Sequence, residues 1–424
     1  MSQPTMSDSQ VLDRAEGALF GSALGDAIGI YTEFMSPAQA LEAYGSAAPS
    51  FTLVEPETKL HNDTHRCELL SRARLERAWT DDTDHTILMM FSYLRMRDLS
   101  PADFAVRLHS WCSQGLRVLD RLPMGLGKTV GGVVFSPGYT SAPEKTALEH
   151  WETHGRTLAP NGSLMRTTPV GVICITKTEP ETFDAAVRMG AVTHADPRCA
   201  LSVGIVATLV RALCRGELAD AAQLRAHIER QWAHMAATLP AQLALLDRAE
   251  FEAHAYAESL AALVLADRAM GYVYKCLGAA LWCLRRVLTR EETFRSAMTA
   301  LVMCAGDADT NGAVAGALMG ALCGYRYLPA EWRDGMRHAE WYRGKIGAVC
   351  VVAGLKEGEY DSEGDVETTL DGGKGFIAEE EMKRREMGIM EKMLYSERDR
   401  REAADAKAKQ LKAARGWRSW LPRT

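Results

Sequence analysis

Apolar residues recur along most of this chain at the spacing of amphipathic helices, and the alternating runs typical of strands are few. From Ile87 to Leu94 the apolar side chains fall at i, i+3, i+4 and i+7, which places them on one buried helical face. Another helix is bounded by Asp196, a candidate N-cap, and by Arg215. Further helices are predicted at residues 220–237, 240–266, 272–288 and 291–304. The pattern predicts one all-α body over residues 11–354.

Glycines four residues apart mark two of the predicted helices, one near each end of this body. On a helix this spacing makes a flat face along which a second backbone can approach closely, although each glycine costs about 1 kcal/mol relative to alanine. We therefore expect these two helices to lie at the centre of the fold. The glycines are Gly17, Gly21 and Gly25 in the first helix and Gly312, Gly316, Gly320 and Gly324 in the second.

The composition changes at both ends of the all-α body. Residues 1–10 are polar and are predicted to be disordered, and residues 355–376 form an acidic stretch that is predicted to be a linker. Residues 377–424 are rich in Glu, Lys, Arg and Ala and are predicted to form a charged C-terminal helical tail. The end of this tail is basic around Trp417 and Trp420. It is a candidate contact for a partner, although packing of the two tryptophans on the body is the simpler interpretation.

The overall composition is that of an ordinary globular protein. The 424 residues are 47% hydrophobic and 25% charged, and the formal net charge of −6 gives no sign of a body that attracts polyanions. Ten cysteines are scattered without a CxxC pair, and the N-terminus has no apolar leader, so we expect an intracellular protein, cytoplasmic or nuclear. The longest apolar runs are interrupted, for example by Arg211, so no membrane span is predicted and the protein is expected to be soluble.

Two acidic clusters each stand where a predicted helix begins. The first is Thr80-Asp81-Asp82 and the second is Asp307-Ala308-Asp309-Thr310. A single cluster of this kind is explained by capping and by the helix dipole, which favours acids in a first turn. Carboxylate and hydroxyl oxygens are also the ligands that Mg²⁺ and Mn²⁺ prefer, and the positive ends of helices keep carboxylates ionised. The two clusters together therefore predict a site for divalent metal.

Several short motifs follow one another between residues 12 and 353. They are Gly25-Asp26-Ala27 with Glu33 downstream, Thr80-Asp81-Asp82-Thr83, Gly125-Leu126-Gly127-Lys128-Thr129, Asn161-Gly162-Ser163-Leu164-Met165-Arg166, Thr193-His194 and Gly306-Asp307-Ala308-Asp309-Thr310. In this order and combination they resemble the ADP-ribosylglycohydrolase family. The resemblance implies a compact, orthogonal multi-helix fold with a cleft that holds two Mg²⁺ or Mn²⁺ ions, here with an additional charged C-terminal helix.

The resemblance also implies roles for residues of this chain. Glu33, on a mobile loop over the metals, is implied to be catalytic together with Asp81 and Asp309, and Asp309 is implied to bridge the metals. The implied metal ligands are Thr80, Asp81, Asp82, Asp307, Asp309 and Thr310. The implied substrate-binding residues are Gly125, Gly127, Thr129, Asn161, Gly162, Ser163, Met165 and His194.

Two of these substrate-binding elements have a physical interpretation of their own. The Asn161-Gly162-Ser163 loop precedes a helix that we expect to begin near Leu164, so the backbone N–H groups of this loop can bind an anion. In the family this element holds the diphosphate of ADP-ribose. His194 matches a family position near the ribose, although a capping or packing histidine is an equally good interpretation.

The function that the resemblance implies is hydrolysis of the C1″ glycosidic-type bond between ADP-ribose and an acceptor, with release of ADP-ribose. Two alternatives stay open on the sequence alone: a metal-dependent hydrolase of another nucleotide or phosphorylated substrate, and a non-catalytic protein that binds ADP-ribose. The acceptor is also open among arginine, serine, nucleic acid, acetate and phosphate. We assign its selection to residues 45–78, with Asp84 and His85 either in the same pocket or in a solvated first helical turn.

Overall fold

The computed structural model of this chain describes residues 6–45, 49–61, 77–123, 125–385 and 387. Within these ranges the chain forms helices joined by turns and isolated β-bridges, without a β-sheet, which confirms the predicted all-α class. The α-helices are α1 (Asp8–Gly29), α2 (Pro37–Tyr44), α3 (Asp81–Met96), α4 (Pro101–Gln114), α5 (Lys128–Val134), α6 (Pro143–Thr153), α7 (Thr168–Ile173), α8 (Glu179–Ala191), α9 (Pro197–Cys214), α10 (Ala221–Thr238), α11 (Pro240–Leu243), α12 (Arg248–Ala255), α13 (Val273–Leu288), α14 (Phe294–Val302), α15 (Ala308–Cys323), α16 (Ala330–Arg333) and α17 (Ala339–Val352). Short 3₁₀ helices lie at Arg117–Leu119, Asn161–Ser163, Leu260–Leu263, Tyr325–Tyr327 and Val366–Thr368.

The described residues up to Phe376 belong to one compact unit. Residues 377–385 and 387 belong to a second unit, in which a helix begins at residue 379. Most of the predicted C-terminal tail lies outside the described residues, as does much of the segment 45–78 to which we assign acceptor selection.

The centre of the first unit is the antiparallel contact between α1 and α15, the two glycine-faced helices. A Cβ atom added to Gly21 would lie 2.5 Å from the carbonyl oxygen of Gly316, and one added to Gly25 would lie 1.8 Å from the carbonyl oxygen of Gly312. Backbone therefore meets backbone along this contact, and any side chain larger than hydrogen would force the helices apart. The prediction that these helices are central is confirmed.

Two other helices also follow the sequence pattern. In α3 the predicted apolar face is buried, with Ile87 and Leu94 fully enclosed. Helix α9 follows Asp196, whose carboxylate accepts the N–H of Arg198 at 2.9 Å. This helix has a mean hydropathy of 1.5 and is long enough to cross a membrane, but 94% of it is buried inside the fold, as expected of a core helix.

The single helix predicted at 240–266 is wrong, because the chain breaks there into α11, α12 and a 3₁₀ helix. The carboxylate of Asp247 accepts the N–H of Ala249 at 2.8 Å and begins α12. The hydroxyl of Ser259 accepts the N–H of Ala262 at 3.3 Å and begins the 3₁₀ helix. Side chains that cap a helix start compete with continuation of the preceding helix, and here they interrupt it twice.

The boundary predicted at residue 10 also differs from the structure. Residues 8–10, which we expected to be disordered, form the first turn of α1. The N–H of Ser7 donates to the side-chain oxygen of Gln10 at 3.1 Å, as in a capping box, so the helix begins before Val11. Residues 1–5 lie outside the described ranges.

Residues 355–376 pack against the helical body, so the prediction of a linker is wrong for this segment. The guanidinium of Arg95 donates to the hydroxyl of Thr368 at 2.7 Å, and Lys345 forms an ion pair with Asp365 at 2.7 Å. Thr368 is itself fully buried. The acidic composition that suggested a solvated linker instead supplies carboxylates and backbone oxygens to basic residues of the body.

We expect Gly21→Ala to destabilise the protein, because the added methyl group would overlap the carbonyl of Gly316. The expected loss in free energy of unfolding is about 1–3 kcal/mol, with a matching fall in thermal midpoint. Gly344→Ala is the matched control, since Gly344 lies in α17 with no atom within 4 Å of an added Cβ. This control should stabilise by up to about 1 kcal/mol. Equal effects of the two substitutions in chemical denaturation would contradict the close helix contact.

Candidate metal-binding active site

Three carboxylates from distant parts of the chain meet inside the first unit. Glu33, Asp307 and Asp309 each offer an oxygen that lies within 4.8 Å of the other two. Glu33 and Asp309 are fully buried, and Asp307 is half-buried. Asp307 is the N-cap residue of α15, and Asp309 and Thr310 lie in its first turn, so the second acidic cluster is a helix start as predicted.

The segment that carries Glu33 is tied to the residues before α15. The N–H of Phe34 donates to the carbonyl of Gly306 at 2.7 Å, and the N–H of Gly306 donates to the carbonyl of Met35 at 3.2 Å. Phe34 and Ala305 both adopt the left-handed conformation, with φ of 59°. This conformation costs roughly 1–2 kcal/mol for a residue with a side chain. Such strain persists only where the surroundings impose it, and it is common where a protein positions functional groups.

The first acidic cluster lies at the start of α3, also as predicted. Thr80 is the N-cap, and its hydroxyl accepts the N–H of Asp82 at 3.4 Å and donates to the Asp82 carboxylate at 3.0 Å. Asp81 and Asp82 are both buried. Burial raises the pKa of Asp82 well above its usual value, and the negative charges of Asp309 and Asp26 raise it further. The start of α3 therefore lies close enough to the carboxylates of α15 for strong mutual repulsion.

Asp26 holds the start of α3 near the carboxylates of α15. No role was predicted for this residue from the sequence. Its carboxylate accepts the N–H of Thr80 at 2.9 Å, the N–H of Thr83 at 3.0 Å and the hydroxyl of Thr83 at 2.6 Å. Burial and the charge of Asp309 together raise the pKa of Asp26 to about 7. An acid in the last turn of an apolar, glycine-faced helix was the available signal, because such a group needs donors from elsewhere.

Asp84 and His85 lie in the interior, so a solvated first turn is the wrong interpretation of these residues. Asp84 is fully buried and accepts the indole N–H groups of Trp79 at 2.8 Å and Trp111 at 3.1 Å. His85 is also fully buried and packs edge-on against Trp111, with ring centroids 4.5 Å apart. The Asp84 bonds tie α3 to α4 behind the acidic cluster.

Asn161 connects the predicted substrate turn to the acidic cluster. Its side-chain amide donates to the carboxylate of Asp307 at 2.7 Å, and its N–H donates to the carbonyl of Gly271 at 2.9 Å. A Cβ on Gly271 would lie 3.4 Å from an Asp307 carboxylate oxygen, so glycine leaves this side of the carboxylate uncrowded. Gly271 could not be predicted from the sequence, because no acidic or turn-forming neighbour marks it.

The helix predicted to begin near Leu164 begins instead at Thr168, so that prediction is wrong. Residues Asn161–Ser163 form a 3₁₀ helix, and the N–H groups of Leu164 and Met165 donate to the carbonyl of Asn161 at 2.8 and 3.1 Å. These N–H groups close the turn and are not directed toward a ligand.

His194 and the glycine-rich loop approach the same turn from different elements. The Nε2 atom of His194 lies 3.2 Å from the position of a Cβ on Gly162, and a methyl carbon of Val130 in α5 lies 3.5 Å from it. The first turn of α5 thereby places residues 125–129 on this side of the site, although Gly127 is exposed with no atom within 4 Å of an added Cβ. Met165 is 5% exposed and supports the turn from the interior.

The residues present fit a divalent cation. The cluster offers oxygen atoms of carboxylates and threonine, which is the ligand chemistry of Mg²⁺ and Mn²⁺. One carboxylate oxygen of Asp82 is buried and has no hydrogen-bond donor among the described residues. Burial and the neighbouring carboxylates raise its pKa, so an ionised carboxylate here is unfavourable unless a positive charge lies close to it. A cation at this position would supply the missing positive charge.

Comparison with known proteins gives consistent matches. The family model described as ADP-ribosylglycohydrolase matches residues 7–407. An ADP-ribosylarginine hydrolase Tri1 of Serratia proteamaculans is 25% identical over 338 residues, which cover 77% of this chain and 76% of that protein. An ADP-ribosyl-[dinitrogen reductase] glycohydrolase of Rhodospirillum rubrum is 24% identical over 365 residues, which cover 82% of this chain and 100% of that protein. A solved ADP-ribosylglycohydrolase-related protein complex has the same fold, with a TM-score of 0.51, 22% identity, and coverage of 81% of this chain and 99% of that one.

We expect Asp26→Asn to weaken divalent-cation binding, although Asp26 is not among the predicted ligands. An amide nitrogen in place of one carboxylate oxygen would face the N–H donors of Thr80 and Thr83 and displace the start of α3. Loss of a residue that orients metal ligands typically costs 10–100-fold in affinity, so a fall of roughly that size is expected in Mn²⁺ titration calorimetry. Asp98→Asn, at an exposed carboxylate beyond the other end of α3, is the control. Unchanged Mn²⁺ affinity in Asp26→Asn would show that Asp26 only fills the core.

Proposed function

This chain belongs to the ADP-ribosylglycohydrolase family, and we propose that it is a metal-dependent enzyme that cleaves the C1″ glycosidic-type bond between ADP-ribose and an acceptor. The observation that carries the proposal is the cluster of Glu33, Asp307 and Asp309, whose oxygens lie within 4.8 Å of one another and two of which are fully buried. A structural core gains nothing from gathering carboxylates in this way, whereas a site for hard cations requires it.

We assign the two metal positions to the oxygen ligands of the two helix starts. Mg²⁺ or Mn²⁺ bound there would supply Lewis-acid charge that orients ribose hydroxyls and acidifies water. The proposed ligands are Thr80, Asp81, Asp82, Asp307, Asp309 and Thr310. Two residues outside this set orient its members. The amide of Asn161 fixes the Asp307 carboxylate, and the carboxylate of Asp26 fixes the turn that contains Thr80.

The protein side chains then have separate tasks in the reaction. Glu33 is the proposed base, because its carboxylate is buried beside the other acids and the backbone after it is fixed by the bonds of Phe34 and Met35 to Gly306. The oxygen of a water molecule forms a bond to C1″ while the bond from C1″ to the acceptor breaks. The Glu33 carboxylate takes a proton from that water, and the acceptor leaves with the bonding electron pair. The same proton passes to the acceptor, which returns Glu33 to its carboxylate form. Asp81 and Asp309 complete the proposed catalytic set.

We expect Asp309→Ala to abolish metal-dependent release of ADP-ribose, because it removes a fully buried carboxylate from the centre of the cluster. With Mg²⁺ or Mn²⁺ present, turnover of an ADP-ribosylated substrate should fall by roughly 100-fold or more, as measured by mass spectrometry of released ADP-ribose. Glu359→Ala, at an exposed carboxylate of the same unit, should retain the activity of the unaltered protein. Full activity of Asp309→Ala with EDTA present would contradict metal dependence.

We propose arginine as the acceptor, so that ADP-ribosylated arginine is the substrate, since the relatives named Tri1 from two bacteria are ADP-ribosylarginine hydrolases. In a panel of arginine-, serine-, nucleic-acid-, acetate- and phosphate-linked ADP-ribose, the arginine substrate should give the highest kcat/KM. A higher value for another acceptor would overturn the acceptor assignment while leaving glycosidic cleavage intact. Release of AMP or phosphate instead of ADP-ribose would contradict glycosidic cleavage itself. Tight binding of ADP-ribose without any turnover would indicate a binding protein.

A further inference from the structure

Three buried side chains form a hydrogen-bonded chain that ends at the predicted substrate turn. The guanidinium of Arg166 donates to the hydroxyl oxygen of Thr193 at 2.5 Å. That oxygen lies 2.7 Å from Nδ1 of His194, the next residue. The other ring nitrogen of His194, Nε2, lies 3.2 Å from the position of a Cβ on Gly162. Arg166, Thr193 and His194 are exposed by 0%, 1% and 5%.

The direction of each bond in this chain follows from the chemistry of its members. Arginine can only donate, so the oxygen of Thr193 accepts from Arg166. A threonine hydroxyl has one proton, and its remaining partner among the described residues is Nδ1 of His194. We infer that Arg166 and Thr193 are positioning residues that hold His194 as the neutral imidazole with its proton on Nε2. This inference deepens the proposed function and rests on it for its role in substrate binding.

The other protonation states of His194 fit this environment poorly. A proton on Nδ1 would point at the hydroxyl oxygen, and the threonine proton would then lack an acceptor in a buried position. A doubly protonated ring would add a positive charge next to the buried guanidinium. The pKa of His194 is lowered well below its usual value, first by burial and then by the charges of Arg166 and of His150 in α6. These are the titratable groups that act on the ring most strongly.

The identity of residue 166 suits this task. Arg166 is fully buried, and its guanidinium carbon lies 5.1 Å from the centre of the Phe104 ring, a cation–π distance. Two of its nitrogens have no hydrogen-bond acceptor among the described residues, so the bond to Thr193 is its main polar contact there. Because the planar guanidinium is held on an aromatic face, its N–H group toward Thr193 has a fixed direction. The flexible side chain of lysine would not reproduce this geometry.

The consequence for the substrate is a donor that carries no charge. The Nε2 of His194 is buried with no hydrogen-bond partner among the described residues, and it faces the Asn161–Ser163 turn. Ribose hydroxyl oxygens and diphosphate oxygens accept hydrogen bonds, so the Nε2 proton matches either part of ADP-ribose. The reverse tautomer would present a lone pair, which a diphosphate oxygen repels.

The tautomer can be observed directly in protein labelled with ¹⁵N-histidine. Long-range proton–nitrogen spectra distinguish a protonated ring nitrogen from a bare one, and His194→Gln assigns the signals. We expect Nε2 to be protonated and Nδ1 to be bare in the unaltered protein at neutral pH. A proton on Nδ1, or an equal mixture of the tautomers, would overturn the inference. This measurement does not depend on activity, so it stands even if the proposed function fails.

Two substitutions test the hydrogen-bonded chain from Arg166 through Thr193 to His194, which we call the relay. Thr193→Val removes the hydroxyl at nearly constant volume, and it should produce mixed His194 tautomers and weaken ADP-ribose binding by roughly tenfold, with kcat little changed. Thr193→Ser keeps the hydroxyl and should restore both the single tautomer and the affinity. An unchanged tautomer and an unchanged Kd in Thr193→Val would refute the relay. If Thr193→Val does not fold, the ¹⁵N-histidine spectrum of the unaltered protein alone tests whether Nε2 of His194 carries the proton. No ADP-ribose binding by any form, with the tautomer as expected, would overturn the proposed function and not the relay.

Discussion

The close approach of α1 and α15 is the contact on which the rest of the structure depends. Because glycines face each other across it, backbone touches backbone at Gly25 and Gly312. The helices are antiparallel, so the end of α1 that carries Asp26, followed by Glu33, meets the start of α15 that carries Asp309. Side chains on the facing surfaces would separate these ends by several ångströms. The glycines therefore control the carboxylate distances although they touch no reacting atom.

Gathering these acids inside the protein is unfavourable, and the fold offsets the repulsion only in part. Helix starts contribute positive potential at α3 and α15, donors surround Asp26, and the amide of Asn161 donates to Asp307. Even so, burial and Asp309 raise the pKa of Asp26 to about 7. In the proposed function, rigid elements of the protein assemble the negative charge, and metal ions from solution would supply the positive charge. That balance is typical of a metal site and not of a stabilising core.

Features encoded by neighbouring residues could be predicted from the sequence, whereas those made by distant partners could not. The helix starts at Asp307 and Asp196 follow from local capping signals, and the glycine faces follow from spacing. The donors to Asp26 come from more than fifty residues away, so no local pattern identifies them. The linker prediction failed for the same reason: the acidity of 355–376 is visible in the sequence, but its contact with Lys345 is not.

In the proposed function the site has an acidic side and an uncharged side, and both serve the binding of ADP-ribose and not the choice of acceptor. Metal ions at the acidic cluster would orient the ribose hydroxyls of ADP-ribose, so this side would control binding through the metal. The other side ends at His194, which buried Arg166 holds through Thr193. The uncharged ring of His194 would donate a hydrogen bond in a fixed direction. Both sides recognise atoms that every ADP-ribosylated substrate shares. Discrimination between arginine and any other acceptor would therefore come from other residues, and we assign it to residues 45–78.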